Sequence, residues 1–179
     1  MQSGSFHCKL CLCLCELAEI ENNVHYKDLA IKLIDSSIEN FCKNKIFITD
    51  TLDESSHFHP YCYTIEGLFY HSYKLKNDKY KQIIKDALNS IFKFQQGDGG
   101  IPTSVHNDGK LKVLYQRCDI QAQTLRLYLL TKDKNNTLNI AADRLLTRLL
   151  EFQNFKEKYK GGFFFGTDED GTFKRHTNF

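Results

Sequence analysis

The stretch HFHPYCYTIEG, residues 57–67, sets His59, Tyr61, Tyr63 and Glu66 at the start of one helix. Imidazole, phenol and carboxyl are the side chains that pass protons to and from a reacting group. Pro60 suits the first turn of a helix, where its missing N–H leaves no bond unmade. Glu66 lies on an otherwise apolar helix, a setting that adapts a carboxyl to general-acid work. The plainer reading of Glu66 is a carboxylate hydrogen-bonded to a neighbouring helix.

RCDIQAQ, residues 117–123, aligns with that stretch: Cys62 falls on Asp119, Thr64 on Gln121 and Glu66 on Gln123. Arg117 and Asp119 at a helix start are placed either to contact a substrate or to form an N-cap and its salt bridge. Asp98, in QGDGGIP, either reaches a cleft or does only the backbone bonding usual for Asp in a glycine turn. TDEDG and RHTN bring Asp168, Asp170, Arg175 and His176 to a last long loop, where solvated acids are the common alternative.

Cys8, Cys11 and Cys15 share one helix face beside His7. Structural zinc sites are normally assembled from loops with paired Cys-x-x-Cys knuckles. These cysteines sit among leucines, so buried packing as small hydrophobes is expected, with no metal and no cofactor.

The elements that position these residues repeat. Anchoring on Phe41, Phe94 and Phe152, the residues ten, seven and three positions earlier are Ile31, Ile34 and Ile38, then Ile84, Ala87 and Ile91, then Ala142, Leu145 and Leu149. All nine are apolar, and the spacing puts each trio on one helix face. Farther upstream, Leu14, Leu68 and Leu125 lie in segments apolar on most sides, CKLCLCLCELAEI, YCYTIEGLFYHSYKL and CDIQAQTLRLYLL. A helix apolar all round is buried between neighbours, and a one-sided helix lies outside them. Each unit therefore reads as a buried inner helix, a short polar turn and an outer helix.

Six main helices are predicted near 7–21, 25–43, 60–75, 79–95, 118–132 and 137–155. They form units at about 7–53, 58–114 and 117–174 of a single domain, with a fourth beginning at 175–179. The glycines of KFQQGDGGIP and EFQNFKEKYKGG should take the C-terminal turns of outer helices. The connections 43–58, 96–117 and 154–175 are long, and loops of that length are functional or carry structure of their own. GGFFFGTDEDGTF suits a short β-hairpin. These loops should gather on one rim, with the inner-helix N-termini, and His59, Tyr61, Asp98 and Asp119 should face it.

Composition agrees with a helical chain: two prolines and ten glycines in 179 residues are too few for a turn-dense all-β protein. The net charge of +2 gives no basic field for nucleic acid. Seven cysteines, an odd number, make no disulfide framework. The apolar run LCLCLC is too short to span a bilayer. A reduced, cytoplasmic protein is expected.

Stacked αα-hairpins with one elaborated rim and a Gln-x-x-Asp-Gly-Gly type turn resemble the six-hairpin, (α/α)-toroid glycosidase-like proteins. HPYCYTIEGLFYHSYKL, QQGDGGIP, RCDIQAQTLRLYLL and the run from KGGFFFGTDEDG to HTNF look most like bacterial members associated with surface polysaccharides. Isoprenoid cyclases and protein prenyltransferases share similar barrels, but an Asp-rich cyclase motif and an Asp, Cys and His zinc set are both missing. Three hairpins against six make the chain look like half a toroid, cut at both ends. The uncovered flanks of the first and last inner helices should then favour self-association.

The resemblance implies a carbohydrate ligand. Aromatic side chains at such a rim stack on sugar rings, while carboxylates and imidazoles contact hydroxyls. Glu66, Asp119, His59 and Tyr61 are the catalytic candidates; Tyr63, Asp98, Arg117, Gln121, Asp168 and His176 are candidates for binding. A hydrolase would need two carboxylates across the scissile bond. A lyase or epimerase would use Tyr and His to abstract a proton. The alternative is a noncatalytic helical repeat module, or an inactive gene remnant, that binds a glycan or protein partner.

Overall fold

The computed structural model describes residues 4–131, 138–156 and 160–174. Six α-helices dominate these residues: α1 (Leu10–Ile20), α2 (Val24–Phe41), α3 (Phe58–Lys74), α4 (Lys81–Phe92), α5 (Cys118–Thr131) and α6 (Asn139–Glu151). All six lie where the apolar periodicity puts them. A 3-10 turn, Ser5–Lys9, leads into α1. Between inner and outer helices the chain turns sharply, and asparagines start the next element: the Asn23 side chain accepts from His25 N, and the Asn77 side chain accepts from Lys79 N.

The helices form two layers. α1, α3 and α5 pack side by side, and each carries its own partner, α2, α4 or α6, on the outside. The stripe residues Ile34, Ile84, Ala87, Ile91, Ala142 and Leu145 are buried; Ile31, Ile38 and Leu149 are half-buried. Contact between the first two inner elements is close enough to exclude a side chain at Gly67, whose Cβ would lie 2.1 Å from the Cys8 carbonyl oxygen. The central inner helix is the most enclosed, with Tyr61, Cys62, Ile65 and Leu68 inaccessible to solvent.

The long connections hold more structure than the sequence announces. In the first, β1 (Cys42–Lys43) and β2 (Ile46–Phe47) pair as a tight hairpin through Asn44 and Lys45, both at positive φ. β3 (Ser55–His57) then pairs antiparallel with β4 (Ser104–His106), and β4 pairs with β5 (Leu111–Val113). The first and second long loops are thus joined in one small sheet. The third contains the expected hairpin, β6 (Gly166–Thr167) with β7 (Phe173–Lys174). It is tied to the start of α5 by Cys118 N donating to Phe165 O and by the Arg117–Gly166 bridge.

The glycine-turn expectation needs correction. α4 ends at Phe92 with Lys93 still right-handed, and the left-handed glycine is Gly99, well beyond the helix. α6 likewise ends at Glu151, with Gly161 in the loop beyond. The repeated phrase marks a turn inside the rim loop. There the Gln95 side chain donates to Gly99 O and Ala141 O, stapling the turn to the next outer helix. The start of a fourth unit at 175–179 lies outside the described residues.

Candidate functional site

The first turn of α3 and the first turn of α5 meet at the rim. His59, Tyr63 and Glu66 follow one another at helical spacing on the same face of α3, while Asp119 opens α5. His59 Nδ1 lies 3.0 Å from Asp119 Oδ2, and His59 Nε2 lies 2.8 Å from the Tyr63 hydroxyl. Arg117 grips the same carboxylate with both arms of its guanidinium, Nε to Oδ1 at 3.1 Å and a terminal nitrogen to Oδ2. Burial opposes the charge on Asp119, but the adjacent His59 and Arg117 outweigh it and bring its carboxyl down to about 2. Asp119 is a carboxylate held by Arg117 and set beside an imidazole.

A second chain of contacts starts from Tyr63. Lys9 Nζ sits 3.6 Å from the centre of the Tyr63 ring and 3.4 Å from Glu66 Oε2. Arg126 donates to Glu66 Oε1 at 2.7 Å. Glu66 is therefore a buried carboxylate clamped between cations from α5 and from the turn before α1. One polar network crosses all three inner elements, in the order Arg126, Glu66, Lys9, Tyr63, His59, Asp119 and Arg117.

Beside this network a cleft of about 700 Å³ opens between the start of α5 and the β6–β7 hairpin. Tyr115, Arg117, Phe165, Asp168, Asp170 and Lys174 line it. The Arg117 guanidinium lies 5.0 Å from the Phe165 ring centre, and Asp168 is paired with Lys174. Exposed aromatic edges, a guanidinium and carboxylates together suit a polyhydroxylated ligand with apolar ring faces.

The structure thus brings His59, Tyr63, Glu66, Arg117 and Asp119 together and sets Asp168 in the adjoining cleft. Two candidates leave the site. Tyr61 points the opposite way from Tyr63: its ring is wholly buried, edge-on to Phe47 and Phe58, and burial pushes its hydroxyl far above the usual range. Two residues along a helix is more than half a turn, so Tyr61 belongs to the core. Gln121 is also wholly buried, and it binds the backbone of Ile101 at both ends, accepting from N at 2.7 Å and donating to O at 2.8 Å. It anchors the glycine turn.

Asp98 lies on the same rim, behind the cleft. It accepts from Gly100 N, from Gln116 Nε2 and from Arg148, as an acid of turn chemistry does. His176 falls outside the described residues.

Sequence reasoning passed over Lys9, Arg126, Tyr115 and Phe165. Lys9 and Arg126 did leave a signal: each is a lone cation in a run of apolar residues, HCKLC and TLRLY. Both cations stay partly exposed, and the buried group they pair with is Glu66, a carboxylate that could not be buried without a partner. Cys8, Cys11 and Cys15 are buried as expected, and burial raises the Cys8 thiol to about 11.

The chain matches no protein-family model and no curated protein sequence. Solved structures do match. The cellobiose 2-epimerase of Bacillus thermoamylovorans superposes with a TM-score of 0.76 at 16% identity, over 96% of this chain and 46% of that one. A D-mannose isomerase gives a TM-score of 0.71 at 11% identity, over 96% and 46%. An alpha-amylase from Clostridium perfringens gives 0.66 at 13% identity, over 98% and 50%. The chain spans about half the length of each. Such low identities carry the fold, and the fold is part of an (α/α)6 toroid. Among the described residues no helix is long and apolar enough to cross a membrane.

Proposed function

We propose that this partial toroid acts on a carbohydrate by moving a proton at a sugar carbon, as an epimerase, an isomerase or a lyase does. The observation behind this reading is the Asp119–His59–Tyr63 chain at the rim. Asp119 Oδ2 lies 3.0 Å from the Nδ1 side of the imidazole, and Nε2 bonds the Tyr63 hydroxyl on the other side. An imidazole and a phenol in contact form an acid–base pair beside the cleft, with a carboxylate placed to stabilise the imidazolium when it forms. Glycoside hydrolysis fits less well, because it needs two carboxylates free to face the scissile bond. Here Asp119 is held by Arg117 and His59, and Glu66 by Arg126 and Lys9.

Tyr115 and Phe165 are the surfaces on which a sugar ring would stack, with Arg117 and Asp168 bonding its hydroxyls. A noncatalytic glycan-binding module is the second reading, favoured by the chain spanning only half of a toroid.

The test is incubation of the chain with mannose, cellobiose and oligouronides in D2O, followed by NMR. Conversion to an epimer, isomer or unsaturated product, with deuterium on the reacting carbon where the carbon is reprotonated, supports proton transfer. Loss of that conversion in His59→Gln and Tyr63→Phe assigns it to this site. Cleavage of the glycosidic bond by hydrolysis overturns the reading, and saturable binding without conversion establishes the module instead.

A further inference from the structure

His71 lies on the flank of α3 that faces the first hairpin, α1 and α2. It follows Thr64 and Gly67 at helical spacing, and those two meet Ser5 and the Cys8 backbone. Its side chain is wholly closed to solvent, yet neither ring nitrogen has a hydrogen-bond partner among the described residues. Buried polar groups are normally bonded. The Tyr80 ring stands edge-on to the imidazole instead, with 5.4 Å between ring centres.

Tyr80 also closes the seam beside it. Its hydroxyl donates to Asp35 Oδ1 of α2 at 2.7 Å, and Lys79 Nζ reaches both oxygens of that carboxylate, at 2.8 and 2.9 Å. These bonds tie the first hairpin to the turn that opens the second hairpin's outer helix. Asp35 and Lys79 act on the imidazole with opposite sign, and the thiols of Cys8 and Cys11 lie close enough to act on Tyr80. Burial raises both thiols, Cys8 to about 11, so neither is charged below pH 7. On α3 itself, Lys74 is turned to Glu16 and Glu19.

Burial works against the charge on Asp35, but the bonds from Lys79 and Tyr80 outweigh it and lower its carboxyl. Asp35 therefore stays ionised and engaged through the range in which imidazoles titrate. A proton on His71 would be a buried charge with no acceptor. Burial accordingly pushes the imidazole below its ordinary range, with Asp35 opposing and Lys79 adding to the shift.

We propose that His71 is an acid-sensitive latch between the first and second hairpins. While neutral, it lies beside the closed Tyr80–Asp35 contact. Once protonated, it gains an acceptor only when Asp35 or water reaches it, and both require the first hairpin to part from α3 and Tyr80. The same parting withdraws Lys9, in the turn before α1, from Tyr63 and Glu66, so acid loosens the rim network from outside the site. The open form carries an ordinary imidazole, protonated below about pH 6.5. Closure is thus favoured above that pH and weakens by about tenfold per pH unit below it, until the closed form is protonated too.

The test uses the 179-residue chain and no sugar, so its outcome is independent of the proposed activity. Hydrogen exchange read by mass spectrometry from about pH 7.5 to about pH 5, corrected for the intrinsic pH dependence of amide exchange, gives the opening constant of each segment. Peptides from α1 and α2 should open about tenfold more per pH unit below about pH 6.5, while α6 stays protected. His71→Leu, which fills the site with no titratable group, should abolish that pH dependence. Tyr80→Phe should raise opening at every pH and keep it. Equal acid opening of α6 means unfolding of the whole chain and overturns the latch. So does an acid response that survives in His71→Leu, or a Tyr80→Phe variant no more open than wild type. The comparison of α1 with α6 in the wild type stands even if His71→Leu folds poorly.

Discussion

Tyr61 and Tyr63 stand two residues apart on the same helix and meet opposite fates. Tyr61 is sealed between Phe47 and Phe58, its hydroxyl left with two carbonyls at 3.4 Å, those of Lys45 and Ala87. Tyr63 lies half-buried at the rim, bonded to His59 and capped by Lys9. One face of α3 is core and the other carries the polar network of the rim. The difference teaches that residue type identifies what a side chain can do, while its angle around the helix decides whether it is free to do it. The same division separates Gln121, turned inward onto Ile101, from Asp119, turned toward His59.

The comparison breaks most readily by truncating the two tyrosines. Tyr61→Ala should cost roughly 3–5 kcal/mol of stability, the usual loss for a large buried aromatic. Tyr63→Ala should cost less than about 1 kcal/mol, since it vacates a half-exposed site. Urea titrations of both variants measure this; equal losses would dissolve the distinction between the two faces.

His59→Gln sharpens it from the other side. With an acid–base group removed, turnover should fall by roughly 10²-fold or more, while the melting temperature stays close to that of the wild type. Steady-state kinetics on whichever sugar is converted, with a thermal melt in parallel, separates the two effects. A fall in melting temperature matching the loss of activity would place His59 with the core residues.

The smallest effect is electrostatic. The folded-state carboxyl of Asp119 titrates near 2, below the ordinary unfolded value of about 4. Its contribution to stability is therefore present above pH 4 and lost as pH falls from about 4 toward 2. Because the side chain is about one-third exposed, solvent screening keeps that contribution below roughly 2 kcal/mol. Asp119→Asn should be less stable than wild type at pH 6, and the gap should narrow as pH drops to 2. A gap independent of pH would mean that the carboxylate's charge does not hold His59 and Arg117.

Much of the scaffold was legible because its signals are local. The trios ending at Ile38, Ile91 and Leu149 repeat at helical spacing, and the helices form where those trios lie. The hairpin around Asp168–Gly171 was legible for the same reason, as Asp-Gly between aromatic residues encodes its own turn. The β3–β4–β5 sheet was not. It joins Ser55 to His106 across a whole hairpin, through backbone bonds that carry no side-chain signature. The azimuth of the inner-helix leucines was not legible either: Leu129 is exposed, whereas Leu127, two residues earlier on α5, is buried.

Hydrophobic periodicity acts within a few turns, so the sequence by itself determined the six helices, their division into inner and outer layers, and the residue types available at the rim. The azimuth of each inner helix was decided only when neighbours packed on it. That packing turned Tyr61 and Gln121 inward, left His59, Tyr63 and Asp119 in reach of one another, and recruited Lys9 and Arg126 to Glu66 from elements far apart in the chain. A contact between residues sixty positions apart is a property of how helices seat against each other, and no local pattern encodes it.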